Sequence, residues 1–475
     1  MVNLYFDRVI EGNNIPNGIP KDHVGFYFPD FKPIDFRKTT GVEPAVYPSE
    51  FGHGYSTVYR TTKSVSSIKK SSTECLGIYP IEGFGSARNA VACDTDWNKK
   101  FKSSFYYMSD KVKQYLKDGT LKLYFGLIQE AFINDDEIIA IHNEMKKYEI
   151  ENGIVAVNDF LAENRYKYWC KKNKEKVRFN VIIFSHSLFE KSYETSELLT
   201  SHNVYSGMAS EYKKHTSSAM SYDEFLNTKE IKREKHLLCL NRRQREHRLA
   251  TLCVLSKNNL IKNNSVSFQF TMDTDVHTPY YIEHIISDKE KYEDLRIEYD
   301  KLKKMKYQYV DYPIAMEAKN GMHHGYGWEN HKPYLDTYFS IVTETAFLHP
   351  TGYVSEKSWK PIAFFHPFIL VGSPGSLKFI REYGFKTFSP FIDESYDDVK
   401  TPVKRFKLIE KEIVRLGKMS KQEIHDWYWS MEDILTYNFK LFNEYGKNHG
   451  NIYEDFFKNI FNLSDEVFIP EFRKK

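Results

Sequence analysis

The sequence predicts an α/β protein of two domains with a helical C-terminal region, on three observations. The chain has 475 residues, too many for one ordinary core. Short β-rich runs alternate with helical patterns, as parallel sheets joined by crossover helices require. A charge run, Asn227 to Lys235 (NTKEIKREK), divides the chain into halves of similar size. The expected boundaries are 1–230 for an N-terminal domain, 231–400 for a C-terminal domain and 401–475 for helices packing on them.

Each element follows from its local pattern. In the first half LKLYFGL (Leu121–Leu127), GIVAVND (Gly153–Asp159) and FNVIIFS (Phe179–Ser185) read as strands. DDEIIAIHNEMKKYEI (Asp135–Ile150) and ENRYKYWCKK (Glu163–Lys172) read as helices beside them. The second half opens with HLLCL (His236–Leu240), a basic turn, and a helical pattern to about Ser256. SVSFQF (Ser265–Phe270), FSIVTET (Phe339–Thr345) and FFHPFILVG (Phe364–Gly372) follow as strands. From VKRFKLIEKEIVRLGK onward the chain reads as helices. The clusters KKNKEK (Lys171–Lys176) and KREK (from Lys232 to Lys235) are expected to be solvated faces.

Composition narrows the function classes. Hydrophobic residues make up 41% and charged residues 28%, a globular balance. A net charge of +3 falls short of a dedicated nucleic-acid binder and suits an acidic ligand at a local basic site. Five cysteines (Cys75, Cys93, Cys170, Cys239, Cys253) form no CxxC or zinc-like spacing, which suggests a reduced intracellular context. The first residues, MVNLYFDRVIEGNN, lack the pattern of a signal peptide. The longest apolar run, PIAFFHPFILVG, is too short to cross a bilayer, so a cytoplasmic protein is expected.

The basic turn LCLNRRQREHR (Leu238–Arg248) carries four arginines where a strand passes into a helix. In an open α/β sheet such junctions face the binding crevice, and helix N-terminal N–H groups favour anions there. Arginines placed against the helix dipole call for a reason, and a diphosphate supplies one. Arg243 and Arg248 are the candidate phosphate contacts, with Asn241 beside them. Further along, YFSIVTETAF ends a strand at Glu344, a carboxylate suited to a ribose hydroxyl pair. Ser355 can cap a helix opened by Glu356 and Lys357, and the lysine suits a phosphate oxygen. The GSPGS turn after the next strand would let a phosphate or sugar approach the backbone.

FSIVTET…GYVSEKSWKPIAFFHPFILVGSPGS resembles the donor-binding half of the α-1,3-fucosyltransferase family of GT-B glycosyltransferases. LNRRQREHR and GFKTFSPFIDESYD (Gly384–Asp397) resemble viral and bacterial glycosyltransferase-like proteins. Together the likeness spans about residues 236–400. It implies a GT-B-like fold, with two Rossmann-like α/β domains facing a cleft, and an inverting transfer from a nucleotide sugar to a hydroxyl, expected to be that of a glycan. Carried over by residue, it nominates Glu344, Glu356, Lys357 and an arginine of the basic turn as donor contacts. Thr345 stands where the family has Asn, which leaves the donor open between GDP- and UDP-linked sugars.

The resemblance also implies a general base in the N-terminal domain. Glu130 and Asp159 both follow predicted strands there; Asp159 reads equally as a helix cap, and Glu130 is favoured. Asn241, Tyr326, Trp328 and Tyr353 are candidate contacts to sugar or base. No cofactor is expected to be required. A divalent metal, on Asp94-Thr95-Asp96 or Asp273-Thr274-Asp275, is the weaker reading, and His323, His324 and His331 make a weak metal set. Two other readings stand beside the glycan enzyme: sugar transfer to hydroxylated bases in DNA, and a non-catalytic nucleotide- or sugar-binding module.

Overall fold

The computed structural model describes residues 3–6, 62–82, 105, 108–127, 133–185, 187–189, 192, 221–241, 245–269, 293–305, 307–308, 332–348, 350–462 and 466–474. The chain divides into two compact units, Met1–Glu190 with Asn448–Lys475, and Lys191–Lys447. Both are α/β.

The first unit is built on a six-stranded, wholly parallel sheet in the order β2-β1-β3-β4-β5-β6. Its strands are β1 (Leu4–Phe6), β2 (Thr62–Ser64), β3 (Gly77–Glu82), β4 (Leu121–Leu127), β5 (Gly153–Val157) and β6 (Phe179–Ile183). Helices α1 (Asp110–Lys117), α2 (Asp135–Lys147) and α3 (Ala162–Asn173) alternate with the last three strands. The start of α2 is fixed by a capping box: the Asn134 side chain accepts from Glu137 N–H, and Glu137 accepts in return. All five residues of β5 are buried, as a strand covered on both faces requires, and GIVAV therefore shows no alternation.

The second unit holds a five-stranded sheet in the order β11-β10-β7-β8-β9. Here β7 (Lys235–Leu240) is central, with β8 (Ser265–Gln269) and the short antiparallel β9 (Tyr307–Gln308) on one side. On the other side lie β10 (Thr337–Thr343) and β11 (Phe368–Val371), both parallel. The chain winds outward in both directions from β7 and β10, so the switch point of the sheet lies between them. Helices α4 (Tyr222–Leu226), α5 (Glu246–Lys257), α6 (Glu293–Met305), α7 (Lys332–Asp336), α8 (Glu356–Ala363) and α9 (Ser376–Glu382) surround it. Then come α10 (Pro402–Gly417), α11 (Lys421–Trp429) and α12 (Glu432–Lys447); α13 (His449–Asn462) belongs to the first unit.

Four expectations change. The C-terminal helices, expected as one region 401–475 packing on the domains, are shared out between the units: three belong to the second and α13 to the first. The division falls after Glu190 rather than near residue 230. FFHP is not strand: Phe364 caps α8, Phe365 takes φ 53, and pairing resumes only past Pro367, at Phe368. Pro367 has no N–H to give a ladder, and a backbone turning through a positive φ cannot extend one. Arg233, read as part of a solvated face, is buried at 5% exposure. Its guanidinium donates to Tyr334 O at 3.0 Å and to the Tyr428 hydroxyl at 2.6 Å, and lies 4.1 Å over the Tyr428 ring.

Cys75, Cys170, Cys239 and Cys253 are free thiols; Cys93 lies outside the described residues. Among the described residues no helix is long and apolar enough to cross a membrane.

Candidate functional site

The carboxyl ends of β7 and β10 meet at the switch point of the second sheet. Thr343 closes β10, and its hydroxyl donates to Asn241 Oδ1, just past β7, at 2.6 Å. Asn241 is itself fixed, since its N–H donates to Ser267 O at 3.1 Å within the neighbouring β8. From this edge the chain enters α5 after β7 and α8 after β10, so both helix starts lie at the carboxyl edge of the sheet. That is where open α/β sheets bind ligands.

Glu344, one residue past β10, organises this edge. It is fully buried. One carboxylate oxygen accepts from Ser355 N–H at 3.0 Å and from the Ser358 hydroxyl. The other accepts from the Ser355 hydroxyl at 2.6 Å and from Thr345 N–H at 3.0 Å. Four donors fill the acceptor capacity of a carboxylate. The carboxylate is therefore not open to a ribose hydroxyl pair, and the sequence expectation for Glu344 is corrected: it ties the start of α8 to the end of β10. Its carbonyl is held as firmly, by His247 Nε2 at 2.8 Å and Arg248 Nη2 at 3.1 Å.

Ser355 caps α8 as the sequence predicts. Its hydroxyl donates to Glu344 while accepting from Lys357 N–H at 3.3 Å. Glu356 and Lys357 then pair at 2.6 Å. Burial alone would raise the Glu356 carboxyl, but the Lys357 and Lys360 ammonium groups outweigh it and hold the group at about 2. The Lys357 side chain keeps 35% of its surface exposed, so its ammonium is within reach of a ligand.

Arg248 does not sit in the open as expected. It is 5% exposed and donates to the carbonyls of Thr343 and Glu344, at 3.4 and 3.1 Å. Burial, then the charge of Arg245, lowers it to about 10, which leaves it cationic at neutral pH, and Glu344 and Glu356 counter the shift. Arg245, at the N-cap position of α5, is half-buried and donates to Thr345 O at 2.8 Å. His247 stacks on Phe347, with ring centroids 5.3 Å apart. The Arg405 guanidinium covers Phe347 at 4.2 Å from its ring and donates to its carbonyl. This brace clamps the loop after β10 to α10.

The GSPGS turn behaves differently from expectation. At its far end Gly375, at φ 84, precedes α9. The N–H groups of Leu377 and Lys378 donate to the two oxygens of Asp397, at 3.0 and 2.9 Å. The protein's own carboxylate occupies the helix start that was expected to approach a phosphate.

The sequence reading thus brought Asn241, Arg248, Glu344, Glu356 and Lys357 to one edge, though Arg248 and Glu344 act within its wall. It did not single out Arg245, His247, Ser358 or Arg405. Arg245 stood in the arginine cluster, and Ser358 lay one turn from the predicted cap, but nothing local marked Arg405. Tyr353 is buried at 2% exposure and belongs to the core, not to an open sugar surface. Asp159 is also fully buried, ion-paired with Arg165 at 2.7 Å and accepting from Leu161 N–H at 3.0 Å. The carboxylate closes a turn ahead of α3, whose N-cap is Leu161 with no side-chain cap, so Asp159 is not the cap the sequence offered. Its pairing with Arg165 argues against a general base. Glu130, Arg243, Tyr326, Trp328, both D-x-D triplets and His323, His324 and His331 lie outside the described residues. Among the described residues no group of three His, Cys, Asp or Glu side chains is arranged to hold a metal. Comparison with protein-family models, with curated proteins and with solved structures finds no match to this chain.

Proposed function

We propose that the chain is a nucleotide-sugar-dependent glycosyltransferase of GT-B type, with the carboxyl edge of the second sheet as its donor site. The observation that carries this reading is the set of fixed charges at that switch point. Lys357 presents a reachable ammonium at the start of α8, and Arg245 and Arg248 flank the start of α5. Cations and helix N-termini at one edge suit a diphosphate, whose charge grows as the bond to the sugar breaks. In an inverting transfer the acceptor oxygen attacks the anomeric carbon, and the bond to the diphosphate oxygen breaks. The departing electron pair stays on the diphosphate, and the hydroxyl proton passes to a carboxylate base. With Asp159 held by Arg165, Glu130 is the candidate base.

The test is thermal stabilisation of the full chain by GDP-, UDP- and CDP-linked sugars and their free diphosphates. One nucleotide series is expected to raise the melting temperature, and Lys357→Ala to weaken that ligand about tenfold. The weakening is measured against the variant's own unliganded melting temperature, which falls because Glu356 loses its nearest cation. Silence from every nucleotide would overturn the reading.

A further inference from the structure

Residues 466–468 join the first unit as an added edge on β6. Ile183 N–H donates to Glu466 O at 2.7 Å, Phe468 N–H donates to Ile183 O at 3.0 Å, and Val467 bridges Ile183 in parallel. Phe468 is buried among Phe184, Phe189 and Phe456, with centroids 5.6, 6.0 and 5.2 Å away.

Beside this junction three side chains form a cluster whose charges do not balance. Lys167 of α3 reaches Glu163 at 2.6 Å and Glu466 at 2.9 Å. The two carboxyl groups therefore meet at a single ammonium. With both ionised, two negative charges face one positive charge, and a single proton on either carboxyl removes the excess. Glu163 is the natural holder, because its side chain is 13% exposed against 66% for Glu466. Phe184 and Phe189, which β6 and its continuation bring against the segment, carry no titratable group. Asp465, the chain neighbour of Glu466, lies outside the described residues.

We propose that the seating of residues 466–468 on β6 is a proton-dependent latch, in which Glu163 and Glu466 share one proton and Lys167 neutralises the charge that remains. Burial, then the neighbouring Glu466 carboxyl, pushes the Glu163 carboxyl up to about 7. A group raised in the docked state favours docking fully below its ordinary value near 4.5, and that contribution is lost as pH rises through about 7. Loss of the proton leaves two carboxylates facing one ammonium, and the segment loosens across the neutral range.

Hydrogen exchange at the Phe468 amide of the full chain, corrected for the intrinsic pH dependence of exchange, reads the latch directly. Protection should fall about tenfold between roughly pH 6 and pH 8, the change one proton with this shift confers. Glu163→Gln should keep the segment seated and flatten the profile. Glu466→Gln, at an exposed position that does not threaten folding, should reduce the slope, leaving the part that burial of Glu163 contributes. A pH-independent wild type, or either variant folding with the wild-type slope, overturns the proposal.

Discussion

Two helix starts in the second unit, α8 and α9, both rest on a buried carboxylate, and they use it in opposite ways. At α9, Asp397 comes from about twenty residues downstream and takes the first-turn N–H groups itself. At α8, Glu344 accepts from two serine hydroxyls and two N–H groups around the cap, and the first turn carries a partly exposed lysine paired with Glu356. The first is closed by its own anion, and the second presents a cation. A glycine-rich turn beside a helix is therefore no sufficient sign of a phosphate site; what matters is whether a carboxylate of the chain already lies there. Asp397 illustrates the cost, since burial pushes its carboxyl up even against two N–H donors.

The contrast can be tested by removing each carboxylate in turn. Glu344→Ala should have the largest effect, a loss of about 3–5 kcal/mol in denaturant unfolding, because it strands several buried donors. A loss below about 0.5 kcal/mol would return Glu344 to the status of a surface ligand. Next comes Glu356. Its carboxyl is depressed, so its contribution is present above the ordinary value of 4.5 and disappears as pH falls through about 2. Glu356→Gln should lower stability at neutral pH by roughly 2–3 kcal/mol and flatten the acid limb of the stability curve. An unchanged acid limb would mean that Lys357 and Lys360 do not govern this carboxylate. Asp397→Asn should cost least, about 1 kcal/mol, since an amide oxygen still accepts one N–H at the start of α9. A cost equal to that of Glu344→Ala would erase the distinction between the two helix starts.

Strands such as β5 and β11 were legible because parallel strands buried on both faces read as unbroken apolar runs, as in GIVAV and FILV, whereas β1, β2, β3 and β9 were not read from the sequence. The cap at Ser355 was legible because it depends on residues within two positions of it. The direction in which Glu344 points was not, since its partners lie up to fourteen residues away across a loop. Arg233 defeated local reading more completely: a lysine- and arginine-rich stretch looks solvated until Tyr428, 195 residues later, folds over it. Arg405 escaped for the same reason, because its target, the Phe347 carbonyl, is 58 residues distant. Where a charge finds carbonyls and rings instead of water, sequence spacing carries no trace of it.

The discontinuity of the first unit has a consequence for synthesis. Its sheet is complete in sequence by Ile183, yet Phe456, Phe457 and Phe468, which cover Tyr124 and Phe184, leave the ribosome more than 250 residues later. The second unit is continuous and has its whole core in hand by Lys447. The second unit therefore has all of its chain available before the first unit has the residues past Asn448 that cover Tyr124 and Phe184.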